Sequence, residues 1–185
     1  AVSSRQVPLS LGTDTGGSVR QPASYCACVG LKPSYGTVSR NGVVSLSNTL
    51  DQVSTFANDV KDVALITSAI AHKDHRDLTS LSNPIDEVTY TYDDAIKYLK
   101  TLKVGVPKEV LADEKDDEVE KAYRDSIKLL KDNGVEIVEI DLKDLKYAVA
   151  TYYIIMNAEA SSNLSRFDGV KYGIRDFDAE SLEEM

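Results

Sequence analysis

The segment Leu11–Ala23, LGTDTGGSVRQPA, decides how the first part of this chain folds. It places Ser18 directly after two glycines and shortly before Pro22, and it contains no histidine. The apolar run Val7–Leu11 predicts a strand that enters this turn. A helix over Ser18–Cys28 is predicted to leave the turn, because proline is tolerated near the start of a helix. Ser18 is therefore either a small residue that caps a strand-to-helix turn or a nucleophile presented on one.

Alternating strands and helices are predicted along the rest of the chain. The strands are VGLK at 29–32, an extended piece GVVSLS at 42–47, LKVGVP at 102–107 and VEIVEIDL at 135–142. The first helix in this part of the chain is predicted to be capped by Asn58, with apolar positions from Val60 to Ile70 and an end near HKDHRD at 72–77. The other helices are predicted over 93–99, 116–133 and 145–164. This order is typical of a layered α/β domain. The last two strands flank one helix, so we expect them to be parallel with a right-handed crossover.

The apolar spacing of the helices predicts which of their side chains are buried. The stripe expected to be buried on the helix at 116–133 consists of Val119, Ala122, Tyr123, Ile127 and Leu130. The helix at 145–164 is apolar enough to be largely buried. Residues 80–100 are poor in aliphatic side chains and predict a surface excursion. His72 and His75 are expected to be solvated near a helix end.

Composition and charge argue against several classes of function. The 185 residues are 42% hydrophobic and 28% charged, which suits a folded domain with a core. The net charge of −9 argues against binding of nucleic acid or an anionic membrane by this chain alone, since both need clustered Lys and Arg. No apolar run of about 18 residues predicts a membrane span. Cys26 and Cys28 are predicted to be buried free thiols, because their spacing suits neither a zinc site nor a disulfide.

The turn around Ser18 has a composition that suits acyl transfer. A serine hydroxyl is a weak nucleophile until a base removes its proton, and lysine is a known alternative to histidine as that base. The two glycines allow unusual backbone angles, so the amides of residues 15–18 can converge on a developing oxyanion. Asp14 can hold this loop by accepting backbone amides or by pairing with Arg20. The same residues also suit a polar turn with no catalytic role.

GTDTGGSVRQPA resembles the core motif of the amidase signature family, whose pattern is close to G-[ST]-D-x-G-G-S-[IV]-R-x-P. The similarity continues through GLKPSYGTVSRNGVVSLSNTLDQVS, so the two segments cover Leu9 to about Asp62. This resemblance implies part of that family's α/β fold, a mixed and mostly parallel sheet with helices on both faces. It implies a fragment of one amidase domain, with a motif-bearing segment at 1–62, the excursion at 80–100 and a strand-helix-strand-helix segment at 101–185.

The same resemblance implies a Ser–cis-Ser–Lys triad that hydrolyses amides. Ser18 matches the nucleophile that forms the acyl-enzyme. The positions that match the oxyanion hole are Thr15, Gly16 and Gly17. The positions that match site-ordering residues are Asp14, Arg20 and Gln21. A tyrosine that lies near the bound substrate matches either Tyr152 or Tyr153.

Two members of the triad have no counterpart in this chain. The family's cis-serine lies in a GGSSGG-like segment well before the nucleophile, and AVSSRQ is not that segment, so Ser3 and Ser4 are not assigned the role. Lys32 belongs to a different motif position and does not match the catalytic lysine. Ala1 is followed soon by a strong motif, and the last residues predict an unfinished charged helix. We therefore expect a piece of a longer protein that is inactive by itself.

The later segments LKVGVPKE and AEASSNLSRFDGVKYG are similar to the A subunits of tRNA-dependent amidotransferases, a branch of this family. That resemblance implies hydrolysis of glutamine and passage of ammonia to a B subunit, which uses ATP and magnesium to amidate Glu-tRNA(Gln) or Asp-tRNA(Asn). A C subunit completes the heterotrimer. No cofactor or metal is expected in this chain, and the expected location is the cytoplasm or an organellar matrix. Two alternatives stay open: a stand-alone amidase, and a truncated interaction module without catalysis.

Overall fold

The computed structural model describes residues 1–82, 91–111, 116–169, 171–181 and 183–184. The chain divides into two compact units, one of Ala1–Val88 with Thr151–Met185 and the other of Thr89–Ala150. The predicted surface excursion falls partly on residues 83–90, which lie outside the described residues. Strands in both parallel and antiparallel pairs, together with helices, confirm the mixed α/β class.

A three-stranded antiparallel sheet lies at the centre of the first unit. Its strands are β1 (Leu9–Asp14), β2 (Val29–Leu31) and β3 (Gln52–Ala57), and both outer strands pair with β3. The predicted strand before the glycine turn is confirmed, but it continues beyond Leu11 because its ladder with β3 extends to the pair of Asp14 and Gln52. The turn that carries Ser18 therefore begins directly at the end of a paired strand.

The central strand β3 is absent from the sequence prediction, and the extended piece predicted at GVVSLS contains no strand. The sequence of β3 does not show the regular alternation of apolar and polar residues that predicts a strand. Its polar residues Gln52, Ser54 and Thr55 are buried in the structure. These polar groups are satisfied inside the fold. The hydroxyls of Thr55 and Thr67, for example, form a hydrogen bond of 2.9 Å.

Helix α1 (Arg20–Tyr25) is shorter than the segment predicted from the sequence, and it packs closely on β2. A Cβ atom on Gly30 of β2 would lie 2.6 Å from the Cβ of Ala23, so only glycine permits this approach. Val19, just before the helix, is fully buried. This packing fixes where α1 begins relative to the sheet, and with it the far end of the glycine turn.

Helix α2 (Val60–Ile70) confirms the predicted helix but has a different cap. The Asp59 side chain accepts a hydrogen bond of 2.9 Å from the amide of Asp62 and is the N-cap. Asn58, the predicted cap, donates from its side chain to the carbonyl of Val2 instead. The carboxylate one residue later in the chain reaches the first helical turn, whereas Asn58 holds the chain start against the sheet.

The second unit contains α3 (Tyr92–Leu99), β4 (Lys103–Pro107), α4 (Asp117–Asp132) and β5 (Glu136–Ile140). Strands β4 and β5 pair in parallel, as predicted. The residues predicted to form the buried stripe of α4 are less buried than expected. Val119 and Ala122 are exposed, and Tyr123, Ile127 and Leu130 are only half-buried. The two described strands of this unit present too narrow a surface to cover a helix of that length.

Helix α5 (Ala148–Leu164) contradicts the prediction of a largely buried helix. Asn163 is its one buried residue, whereas Val149 and Ile154 are 68% and 72% exposed. The helix is apolar around most of its circumference, yet most of its side chains are exposed. Helix formation there begins later than predicted, because the preceding residues Lys143–Tyr147 form a 3-10 turn.

The cysteine prediction is half correct, because both thiols are free but neither is buried. Cys26 is exposed and Cys28 is half-buried. His72 and His75 are exposed, as predicted. Among the described residues, no helix combines the length and apolarity needed to cross a bilayer.

Candidate functional site

Residues 15–19 connect the end of β1 to the start of α1 and present Ser18 on a short turn. Gly17 has φ of 141°, a backbone conformation that favours glycine. Ser18 is exposed, and it does not cap the helix, because the N-cap position belongs to Val19. Within the described ranges, neither the Ser18 hydroxyl nor the amides of residues 15–18 form a hydrogen bond. The turn therefore presents a serine and unused backbone donors to solvent.

Asp14 fastens the helix side of this turn. Its buried carboxylate accepts hydrogen bonds from the amides of Val19 and Arg20, both at 3.2 Å. It also accepts two hydrogen bonds of 3.0 Å from the Arg20 guanidinium. Burial acts to raise the pKa of Asp14, but the hydrogen bonds from Arg20 and Val19 outweigh it and leave the pKa below its ordinary value. Asp14 thus accepts amides and pairs with Arg20 at once, the two arrangements that the sequence left open.

Asp51 fastens the strand side of the turn, and the sequence analysis did not identify it. Its Oδ1 accepts a hydrogen bond of 2.6 Å from the Thr15 hydroxyl. Its Oδ2 accepts from the amides of Leu46 and Ser47 and from the Ser45 hydroxyl, at 2.8, 2.9 and 3.1 Å. With 3% exposure, Asp51 is a buried acid whose oxygens are both occupied. The sequence signal for Asp51 was its place inside the family-like segment SNTLDQVS.

One face of α5 reaches both the glycine turn and the loop that precedes Asp51. A Cβ atom on Gly16 would lie 2.7 Å from Cε2 of Tyr152, so the tyrosine ring lies directly against the turn. Tyr153 is 54% exposed and packs edge-on against the Tyr152 ring, with centroids 5.2 Å apart. Of the two tyrosines that the sequence left as alternatives, Tyr152 is therefore the one in contact with the turn.

Glu159 lies two helical turns beyond Tyr152 and holds the loop at 47–49. It accepts hydrogen bonds of 2.6 Å from the hydroxyls of Ser47 and Thr49, and one of 3.1 Å from the Thr49 amide. The hydrogen bond from Ser47, followed by those from Thr49, lowers the pKa of Glu159. Asn163, one turn further, donates to the carbonyl of Leu46. These bonds connect α5 to the turn through Ser47 and Asp51.

Several residues considered from the sequence have other contacts. The Ser4 hydroxyl donates to the carbonyl of Ala1, and Lys32 donates to the carbonyl of Pro33. Gln21 is exposed, and its side chain donates to the Tyr25 hydroxyl at 3.5 Å. The structure therefore brings Asp14, Arg20 and Tyr152 to the turn. Gln21 also contacts the turn, but through its backbone amide, which donates a hydrogen bond of 2.8 Å to the Gly17 carbonyl.

A strand that ends in a glycine turn with an exposed serine and unused amides has the arrangement of a serine amidohydrolase. The family model described as Amidase matches residues 1–185, so this chain belongs to the amidase family. The chain is 51% identical over 185 residues to the A subunit of glutamyl-tRNA(Gln) amidotransferase from Clostridium botulinum (strain Eklund 17B / Type B). That match covers 100% of this chain and 37% of the relative.

Solved structures place the same fold in several amidases. The crystal structure of the glutamyl-tRNA(Gln) amidotransferase A subunit from Thermotoga maritima matches with a TM-score of 0.80 at 36% identity, covering 93% of this chain and 36% of that one. The native peptide amidase from Stenotrophomonas maltophilia matches with a TM-score of 0.74 at 25% identity, covering 91% of this chain and 34% of that one. The chain thus spans little more than a third of each protein it resembles.

Proposed function

We propose that this chain is the nucleophile-bearing part of the glutamine-hydrolysing A subunit of a tRNA-dependent amidotransferase. The observation that carries the proposal is the exposed Ser18 on a turn whose amides are not used by described residues. The 51% identity to a protein named as the A subunit of glutamyl-tRNA(Gln) amidotransferase supports the choice of amide substrate. In this proposal the serine is the nucleophile and the turn is the oxyanion hole.

The reaction begins with attack of the Ser18 Oγ on the side-chain amide carbon of glutamine. The hydroxyl proton passes to the base of the triad, and the carbonyl oxygen gains negative charge. The amides of Thr15, Gly16, Gly17 and Ser18 stabilise that charge, and removing one such donor commonly costs about 3 kcal/mol. Collapse of the intermediate breaks the carbon–nitrogen bond, and the leaving nitrogen takes the proton and departs as ammonia. Water then cleaves the acyl ester and releases glutamate.

Tyr152 is the side chain of α5 that we assign to the substrate pocket. Its ring contacts the turn at Gly16, so a substrate carbonyl bound over the amides lies beside it. Tyr153 supports that ring from its exposed side. Asp14 and Arg20 keep the turn in place, and we assign them a positioning role.

The whole protein, in this proposal, works with B and C subunits, and ATP and magnesium are used by the B subunit. The name of the relatives supports this assembly, because an amidotransferase must pass ammonia to a second reaction. The 185 residues alone are expected to be inactive, since neither the cis-serine nor the catalytic lysine is assigned among them. Two free cysteines suit a reducing compartment such as the cytoplasm or an organellar matrix.

The test compares Ser18→Ala with Ser24→Ala in the whole protein expressed together with its partner subunits. Ser24 is an exposed serine on α1 with no described side-chain hydrogen bond, so it is a matched control. Release of glutamate from glutamine is expected to fall by on the order of 10⁶-fold in Ser18→Ala, as for loss of other serine nucleophiles. It should stay at the wild-type rate in Ser24→Ala. Equal activity of the two variants would rule out Ser18 as the nucleophile.

A stand-alone amidase is the second candidate, supported by the TM-score of 0.74 to a peptide amidase. The two functions differ in what becomes of the ammonia. Co-purification with B and C subunits, and tRNA amidation that uses glutamine, would support the amidotransferase. A monomer that hydrolyses simple amides and binds no partner would support the alternative.

A further inference from the structure

We infer that Asp51 is a positioning residue that holds the oxyanion turn in its active shape through the Thr15 hydroxyl. This inference rests on the proposed function, because it assigns a role to the geometry of the amides at residues 15–18. Asp51 makes no contact with Ser18 and is not a catalytic residue. Its effect on the reaction passes through a single hydrogen bond of 2.6 Å.

The two carboxylate oxygens of Asp51 contact different parts of the chain, and this supports the positioning role. Oδ2 accepts from Ser45, Leu46 and Ser47 in the loop, while the one described donor to Oδ1 is Thr15. A carboxylate can accept all four hydrogen bonds because it has no donor of its own. An alanine accepts none of them. An asparagine could still bridge the two sides, with its oxygen on the loop amides and its nitrogen donating to the Thr15 hydroxyl, which can also accept. The side chain thus joins a loop to the turn through two polar atoms, one facing each side.

The turn needs a restraint at this end because glycine supplies little of its own. Two consecutive glycines separate Thr15 from Ser18, and glycine loses more conformational freedom on ordering than any other residue. Asp14 restrains the far end through Val19 and Arg20. Asp51 restrains the near end. Backbone donors that stabilise an oxyanion act well only when they are held in place before the reaction, so both restraints contribute to the rate.

The loop that carries the Asp51 contacts is itself held, so it can act as an anchor. Ser47 donates to Asp51 through its amide and to Glu159 through its hydroxyl. Asn163 donates to the Leu46 carbonyl. An anchor fixed to helix α5 at two points can restrain the glycine turn, whereas a mobile loop could not.

The experiment uses paired substitutions at both ends of the hydrogen bond. Thr15→Val removes the hydroxyl and keeps the side-chain shape, whereas Thr15→Ser keeps the donor. Asp51→Ala removes both acceptor oxygens. Ser45→Ala is the control, because it deletes a hydroxyl that lies 3.1 Å from Oδ2 and 2.6 Å from Oδ1 of Asn48, without touching Thr15. Melting temperatures identify any variant that fails to fold, and if Asp51→Ala fails to fold, the test rests on Thr15→Val.

The first measurement needs no catalytic activity. Amide order parameters of Gly16 and Gly17, from ¹⁵N relaxation of the 185-residue chain, are expected to be near 0.85 in the wild type, Thr15→Ser and Ser45→Ala. They are expected to fall below about 0.6 in Thr15→Val and Asp51→Ala. Order parameters that stay high in both of these variants would overturn the inference.

The second measurement is steady-state glutamine hydrolysis by the whole assembly. Thr15→Val and Asp51→Ala are each expected to lower kcat by on the order of 100-fold, the usual effect of a small misplacement of catalytic groups. The double variant should lose no more than either single one, because both break the same hydrogen bond. Losses that multiply would overturn the inference. If the assembly shows no Ser18-dependent hydrolysis, the proposed function fails, and the order parameters alone then decide whether Asp51 positions the turn.

Discussion

Single residues at the two ends of the glycine turn account for its shape. Asp14 is fully buried, yet it keeps its pKa low because two amides and a guanidinium surround it. A buried carboxylate is unfavourable unless it is paired and hydrogen-bonded, and Asp14 is both. The turn is thus organised by an acid inside the fold rather than by a helix cap from Ser18.

The contribution of Asp14 to stability should depend on pH. Because its pKa in the folded state lies below the ordinary value of 3.8, its stabilising effect is complete above that value and is lost as the pH falls through the lower folded pKa. Asp14→Asn is expected to cost about 1–3 kcal/mol at pH 7, since it leaves buried donors with poor partners. Urea unfolding at pH 7, 4 and 3 should show this difference shrink towards acid pH.

The exposed Asp62 provides the control for that titration. Asp62 is in the first turn of α2, and no hydrogen bond to its side chain is described. Asp62→Asn should change the free energy of unfolding by no more than about 0.5 kcal/mol at each pH. A difference for Asp14→Asn that is constant between pH 7 and pH 3 would contradict the assigned ionisation.

At the scale of elements, α5 organises the site with one face and leaves the others uncovered. Tyr152, Glu159 and Asn163 lie at positions i, i+7 and i+11, which places them on the same side of a helix. That side carries the contacts to the turn and to the loop. A helix that is apolar almost all round thus reaches its neighbours mainly through polar side chains.

Glu159→Ala should loosen the loop while leaving the helix intact. Alanine offers no acceptor to the hydroxyls of Ser47 and Thr49 or to the Thr49 amide. Exchange of the Thr49 amide is expected to rise by on the order of tenfold, equivalent to about 1.4 kcal/mol. Ser161→Ala, on the exposed part of α5, should leave that rate unchanged. Equal exchange in the two variants would show that Glu159 does not hold the loop.

At the scale of the whole molecule, large apolar side chains on α5 face solvent in this chain. Val149 and Ile154 are more than two-thirds exposed. Large apolar side chains that stay exposed on a helix often mark a place where other protein packs. Since the chain matches only 37% of the related A subunit, we expect the remainder of a full amidase domain to cover this helix.

Ile154→Lys should therefore affect stability in the whole protein but not in the 185-residue chain. In the 185-residue chain it should raise solubility and leave the melting temperature nearly unchanged, because the side chain is already exposed. In the whole protein it should destabilise by several kcal/mol, since a charge would replace a buried isoleucine. The measurements are thermal unfolding and solubility of both proteins. Lys143→Glu, an exposed charge change, is the control. Unchanged stability of the whole protein would show that α5 is not covered there.

The sequence by itself determined the features that depend on near neighbours along the chain. The consecutive glycines and Ser18 predict a turn between a strand and a helix, and the structure has one. Acidic residues at the start of α4 and Gly134 at its end predict its limits, because caps and positive φ values are local properties. The parallel pairing of β4 and β5 follows from the helix between them.

Only the tertiary structure decided the features that join distant parts of the chain. The hydrogen bond between Thr15 and Asp51, the choice of Tyr152 over Tyr153 and the exposure of α5 all depend on which surfaces meet. Strand β3 belongs to this group, because its buried polar residues look unlike a strand until their partners surround them. Local sequence constrains backbone angles, whereas the burial and pairing of a polar group depend on residues far away in the chain.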